Sequence, residues 1–362
     1  MIQIKPAVKY GKITTNSIVE NIVGENILIV SSKTVWNKSY LKDVISNISE
    51  KYKIKVYTHV RPNAPFSDLQ KIIDENSNSK PTSIIAIGGG SVIDACKALS
   101  VAFSKASISD LFYKKASMPK SSIQLIAIPT TAGTGAELSF GAIIYDDVNC
   151  VKGGLRGEII QPNVVFIDAE LYQTAPKKLI AEVGFDCLTH AIETYISVKS
   201  CGITEYQSLA AIKTVLEFLP KAVNGEIEGM KQMSIASAMM GINLAYSSTC
   251  LPHRIQYIIG PLTNTSHAQG LIALYKGWIP LIAQNKSKSK LNQLESDLGG
   301  NIDLVDEIHQ LKEKLDLNYS ITSLGVRQDQ IEKIAFSTNG SVQNDPIFQD
   351  NRTIIKILEK SL

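Results

Sequence analysis

At 362 residues, 44% of them hydrophobic and 20% charged, the chain is long enough for two domains with substantial cores, or one large one. Its formal net charge of +3 comes from interspersed acids and bases, which gives neither nucleic acid nor an anionic membrane a footing as partner.

The start, Met-Ile-Gln-Ile-Lys-Pro, lacks the apolar stretch and cleavage site of a secretion signal, so a cytoplasmic location is expected. Asn26–Ser31 reads as a buried strand, followed by a helical stretch to about Glu50. Lys55–Val60 predicts a second strand and Phe66–Ser77 a second helix. Ser83–Ile87 predicts a third strand, running into Gly88-Gly89-Gly90-Ser91 and another helix, and Ile123–Ile128 a fourth strand. Apolar strands alternating with helices predict a parallel sheet covered on both faces, a Rossmann-like α/β domain over residues 1–175. From about Pro176 helical periodicity takes over, through Ala181–Lys199, Glu205–Phe218 and Met230–Ala245, which predicts an all-helical domain over 176–362. The two longest stretches without Asp, Glu, Lys or Arg, Gln232–His253 and Ile255–Tyr275, are broken by polar residues, Gly and Pro and make poor membrane spans. The five cysteines form no Cys-x-x-Cys pair and read as buried free thiols in a reducing compartment.

Two loops suit a phosphate ligand. Three glycines between a strand and a helix let backbone N–H groups approach a diphosphate, and the helix N-terminus adds partial positive charge. The plainer reading makes Ser91 an N-cap, with Asp94 completing a capping arrangement. Pro129-Thr-Thr-Ala-Gly-Thr-Gly-Ala-Glu137 follows the fourth strand and offers hydroxyls and glycines where open α/β sheets bind ligands.

The helical half holds a metal-like set. Asp186 and His190 are four apart and share one helix face; His253 and His267 follow, separated by fourteen. One carboxylate with neutral imidazoles suits Fe²⁺, Zn²⁺, Co²⁺ or Ni²⁺. The remaining histidines, His59 and His309, read as packing or surface residues.

Together, Gly88–Lys97, Pro129–Glu137, Gly184–Glu193 and His253–His267 resemble the iron-containing (group III) alcohol dehydrogenase family, over about residues 5 to 285. The resemblance implies the dehydroquinate synthase-like fold of that family, with an α/β nucleotide-binding domain, a helical domain and an active-site cleft between them. It implies Asp186, His190, His253 and His267 as ligands of Fe²⁺, with Zn²⁺ as the alternative. It implies Gly89, Gly90 and Ser91, with Asp94 in the same motif, on the coenzyme diphosphate. Thr130, Thr131, Ser139 and Lys152 line the rest of that site, and Asn63 stands near the adenosine half. It further implies a homodimer acting on an aldehyde or alcohol. The chain departs from the family pattern in having Tyr257 where a second His often stands, and Ala268 after His267.

The joint presence of ligands and cradle predicts a divalent ion that polarises the substrate oxygen while hydride passes to or from a nicotinamide ring. His267 and Tyr257 are the expected catalytic side chains, with the proton delivered by Tyr257 or by water, and a packing Tyr one turn from His253 as the plainer reading of Tyr257. NAD-selective enzymes often hold the ribose with an acid at the end of the first strand; here Ser32 stands there and Lys33 follows, so NADP(H) is expected over NAD(H). Arg254 and Gln256 are candidate contacts for an anionic or polyhydroxy substrate, but positions two apart on a helix point to different sides, so both are not expected to face the cleft. Related glycerol or glycerol-phosphate dehydrogenases, dehydroquinate-synthase-like enzymes and a non-catalytic nucleotide-binding descendant are the competing readings.

Overall fold

Strands β2 (Asn26–Ser31), β4 (Ser83–Gly88) and β5 (Gln124–Pro129) are buried almost throughout. Their β-branched and leucine side chains alternate between two cores. Leu28, Val30, Ile84, Ala86 and Leu125 face one core, shared with the helices Phe66–Glu75 and Gly90–Ala102. Ile27, Ile29, Ile85, Ile87, Ile126 and Ile128 face the other, shared with the helices Lys33–Lys38 and Leu41–Ser46. A strand covered on both sides must be apolar on both, which is why these segments read as continuous hydrophobic runs.

This computed structural model describes residues 4–104, 107–300 and 302–362. The chain divides into two units, Met1–Pro176 and Lys177–Leu362. With β1 (Ala7–Tyr10), β3 (Lys53–Tyr57) and β8 (Val164–Ile167), the first unit forms a 6-stranded parallel sheet ordered β1-β8-β5-β4-β2-β3. A hairpin of β6 (Gly141–Asp146) and β7 (Val151–Arg156) stands apart from it. Strand β2 lies between β3 and β4, and the connecting helices change faces there, so the order of the sheet reverses at this point. Register pairs Ser31 with Ile87 and Gly88 with Pro129. The carboxyl ends of β2, β4 and β5 therefore finish level, at the place where open sheets of this kind bind ligands.

The parallel α/β class is as expected, while several boundaries are not. The second predicted strand starts two residues earlier and ends at Tyr57. The stretch toward Glu50 is two short helices. Strands β1 and β8 and the hairpin had no expectation attached. β1 and β8 are four residues each; β1 is exposed along its length as an edge strand, while β8 is a short, wholly buried apolar run.

Among the described residues the second unit is helical. Its main helices are Lys177–Ile196, Gly202–Val223, Ile227–Tyr246, Leu251–Thr263 and His267–Gln284. The first is packed tightly against the second: a β-carbon on Gly184 would sit 2.1 Å from Leu219 Cδ1. No helix among the described residues is long and apolar enough to cross a membrane. Cys96, Cys187 and Cys250 are buried free thiols, but Cys150 and Cys201 are exposed, contrary to the expectation that all five are buried.

Candidate metal centre and coenzyme cradle

Three helices of the second unit deliver the expected metal set. Asp186 and His190 lie one turn apart on Lys177–Ile196, His253 is on Leu251–Thr263, and His267 opens His267–Gln284. One ligand atom from each of Asp186, His253 and His267 falls within 4.8 Å of the others. His190 is not in that mutually close set but adjoins it: its Nε2 is 3.6 Å from Asp186 Oδ1, and its ring stacks on His253 with centroids 4.7 Å apart. His253 Nε2 is also 3.6 Å from Asp186 Oδ1, is buried, and has no hydrogen-bond partner. A buried imidazole nitrogen left orphaned beside a carboxylate is costly unless something occupies the point it faces. The donor set of one carboxylate and three imidazoles fits a divalent borderline cation.

The far side of each ring is held as well. His253 Nδ1 donates to Glu193, 2.9 and 2.8 Å from its two carboxylate oxygens, which fixes Nε2 as the lone-pair nitrogen. Glu193 is fully buried and also accepts from the Cys250 backbone N–H at 2.7 Å and the Tyr275 hydroxyl at 3.3 Å. His267 Nδ1 donates to the Gln256 side-chain oxygen. Burial alone would lift the Asp186 carboxyl, but electrostatic attraction to the His190, His267 and His253 rings outweighs it and holds Asp186 below the usual carboxylate range. Burial alone would lower His253, and Glu193 and Asp186 together raise it.

Tyr257 comes next to this centre, its ring centroid 5.9 Å from that of His267. The two candidate substrate contacts are both turned into the protein. Arg254 is buried, donates to Thr249 Oγ1 and lies 5.0 Å over the Tyr257 ring. Gln256 is buried and committed to His267. Position 256 sits three residues along the helix from His253, so it turns inward with that ligand. Glu193 was missed, although its place seven residues after Asp186 on an apolar helix puts it on the ligand face.

In the first unit the loops after β3, β4 and β5 meet. A β-carbon on Gly89 would lie 2.9 Å from Thr131 Oγ1, and one on Gly90 would lie 3.0 Å from Thr134 Oγ1. The Thr130–Thr134 loop thus closes over the glycine turn, and only glycine leaves room for it. The N-cap of the following helix is Gly89, with no side-chain cap, so Ser91 and Asp94 do not form the expected capping arrangement. Ser91 Oγ instead accepts the Asn63 N–H at 3.1 Å, and Asn63 Oδ1 accepts from Lys152 Nζ at 2.8 Å. Asn63 and the wholly buried Ala64 both adopt left-handed backbone, with φ of 66° and 48°. For alanine that conformation costs about 1–2 kcal/mol, which marks a turn held in place for a purpose. Ser32 caps the helix Lys33–Lys38 by accepting the Val35 N–H at 3.3 Å, and the exposed Lys33 begins that helix.

Asp94 and Ser139 are engaged beneath this turn. Asp94 Oδ2 accepts the Ile143 N–H at 2.9 Å. Lys97, wholly buried, donates to Ser139 O, Ser139 Oγ and Gly141 O at 3.0, 3.1 and 2.7 Å. Both anchor the helix Gly90–Ala102 to the hairpin. Glu137 is buried nearby with one carboxylate oxygen lacking a hydrogen bond, and burial pushes its carboxyl up to about 7 from 4.5. Between those values the folded protein keeps a proton that the unfolded chain releases, so this group's contribution to stability falls as pH rises through the window. Glu137→Gln is expected to flatten that decline, by on the order of 2 kcal/mol, in denaturant titrations at pH 5 and pH 8.

The family model for iron-containing alcohol dehydrogenase matches residues 6–169, and that for the C-terminal domain of the same family matches residues 180–362. The chain belongs to the iron-containing alcohol dehydrogenase family. Membership carries metal-dependent oxidoreductase chemistry of the alcohol dehydrogenase and aldehyde reductase type. The NAD-dependent methanol dehydrogenase of Bacillus methanolicus is 26% identical over 379 residues, covering 99% of each chain. Aldehyde-alcohol dehydrogenase 2 of Entamoeba histolytica is 30% identical over 263 residues, 68% of this chain, and this chain's match spans 30% of that longer protein. The iron-containing alcohol dehydrogenase structure from Thermotoga maritima superposes with a TM-score of 0.87 at 23% identity, covering 100% of this chain and 99% of the other. That likeness establishes the fold expected for this iron-containing alcohol dehydrogenase family member.

Proposed function

We propose that the protein interconverts a small alcohol and its aldehyde, with Asp186, His190, His253 and His267 as ligands of Fe²⁺, or alternatively Zn²⁺, and NADP(H) as preferred coenzyme. The observation that carries this reading is the convergence of Asp186, His253 and His267 around the orphaned His253 Nε2, in a chain whose other unit holds a glycine cradle. A divalent cation there supplies Lewis-acid polarisation of the substrate oxygen, and the nicotinamide supplies or accepts hydride. Glu193 keeps His253 in the tautomer that presents Nε2. Gly89, Gly90, Thr130 and Thr131 offer backbone and hydroxyl groups to the diphosphate, and Asn63, Ser91 and Lys152 hold one another beside it. The Tyr257 ring beside His267 supports its role as proton donor to the substrate oxygen, with water as the alternative donor.

Ser32 offers no charge against a 2′-phosphate, and Lys33 adds one that attracts it. With anaerobically iron-loaded protein and a series of aldehydes, NADPH oxidation is expected at kcat/KM about tenfold above NADH, and Ser32→Asp is expected to reverse the order. Tyr257→Phe in the same assay should lower kcat by roughly tenfold or more. Aldehyde-independent coenzyme turnover, or none with any aldehyde, would instead favour a cyclase-like or non-catalytic role. The protein is further proposed to assemble as a homodimer, which light scattering reads directly.

A further inference from the structure

Gln256 occupies a slot made by two missing side chains. A β-carbon on Gly260 would lie 2.8 Å from Gln256 Nε2, and one on Gly270 would lie 2.7 Å from Gln256 Cγ and 3.2 Å from Nε2. The contact with Gly270 involves the stem of the side chain, which cannot swing away as its tip can. Gln256 is fully buried between the helices Leu251–Thr263 and His267–Gln284. Its Nε2 points toward Ser266 O at 3.4 Å, which leaves Oε1 to accept from His267 Nδ1. A carbonyl oxygen can only accept, so His267 carries its proton on Nδ1 and keeps Nε2 as the lone-pair nitrogen.

The two ring-holding groups differ in charge. Glu193 behind His253 is a carboxylate, whereas Gln256 behind His267 is neutral. Asp186 and Glu193 already supply two negative charges, which balance a divalent cation. A second buried carboxylate behind His267 would leave the assembly net negative and weaken the pull on a substrate oxygen.

We propose that Gln256 is a positioning residue: its amide oxygen holds His267 in the ligating tautomer without adding charge, and positions 260 and 270 are glycine because Gln256 fills their β-carbon space. This deepens the metal-centre reading and rests on it. The first test is Zn²⁺ affinity of the full chain, by competition with a chromogenic chelator. Gln256→Leu and Gly270→Ala are each expected to bind Zn²⁺ about 10–100-fold more weakly than the unaltered protein. Gln256→Glu, which keeps the acceptor, is expected to retain that affinity while kcat with the iron-loaded protein falls about tenfold.

The second test needs no metal. The Tm of metal-free Gly270→Ala is expected to drop by several degrees, and Gln256→Ala in the same chain to recover most of it, because the two changes share one space. Zn²⁺ affinity of Gln256→Leu within twofold of the unaltered protein, or purely additive Tm changes in the pair, would overturn the proposal. Failure of the unaltered protein itself to bind Zn²⁺ or Fe²⁺ would overturn the metal centre instead, and is read in the same titration.

Discussion

His253→Ala is expected to abolish bound metal and to lower kcat with an aldehyde by about three orders of magnitude or more. The reason is cumulative. The substitution removes the orphaned Nε2 that faces Asp186, and it strips Glu193 of the imidazole that both of its oxygens accept from. It also removes the ring on which His190 stacks. A cluster of one carboxylate and two remaining imidazoles still has donors, but they have lost the central ring that orders them. Metal content by mass spectrometry and single-turnover coenzyme oxidation on the same preparation give the comparison. Normal metal content with normal turnover would remove His253 from the chemistry and the proposed centre with it.

Glu193→Ala is the second large effect, and it is as much about folding as about metal. Three donors, His253 Nδ1, the Cys250 N–H and the Tyr275 hydroxyl, point at a carboxylate buried with no exposure. Removing it strands His253 Nδ1 and the Cys250 N–H in the interior, while the Tyr275 hydroxyl keeps the Thr189 carbonyl at 3.1 Å. The expected loss is about 3–5 kcal/mol of stability, read by denaturant titration of the metal-free protein. Metal affinity should fall a further 10–100-fold, because His253 no longer has its orientation set. Glu193→Gln should lie between the two, since it fills the space and keeps one acceptor oxygen. A metal-free Glu193→Ala protein as stable as the unaltered one would show that the network carries no energetic weight.

The metal set was legible because histidine is scarce in this chain and because two ligands sit at helical spacing. The glycine turn was legible for the same kind of reason, being a cluster directly after an apolar strand. What lay hidden depends on contacts distant in sequence. Lys97 reaches oxygens more than forty residues away, at Ser139 and Gly141, so nothing around it announces a buried amine. Asp94 looks like a capping residue until the hairpin backbone claims it. Arg254 and Gln256 look like substrate contacts because polar side chains beside a metal ligand usually suggest that, and only the packing of Gly260 and Gly270 reveals where Gln256 goes. Short strands such as β1 and β8 escape because four residues cannot display a period.

The pairing of β1 with β8 has a consequence for how the protein is made. Ala7 lies opposite Val164, so β1 waits for more than 150 further residues before it has a neighbour. The chain finishes that pairing just before Asp186 is synthesised, and His267 arrives some eighty residues later still. Every candidate ligand follows Ile167, so any ion held by Asp186, His190, His253 and His267 can be bound only after the last strand of the α/β unit has been synthesised.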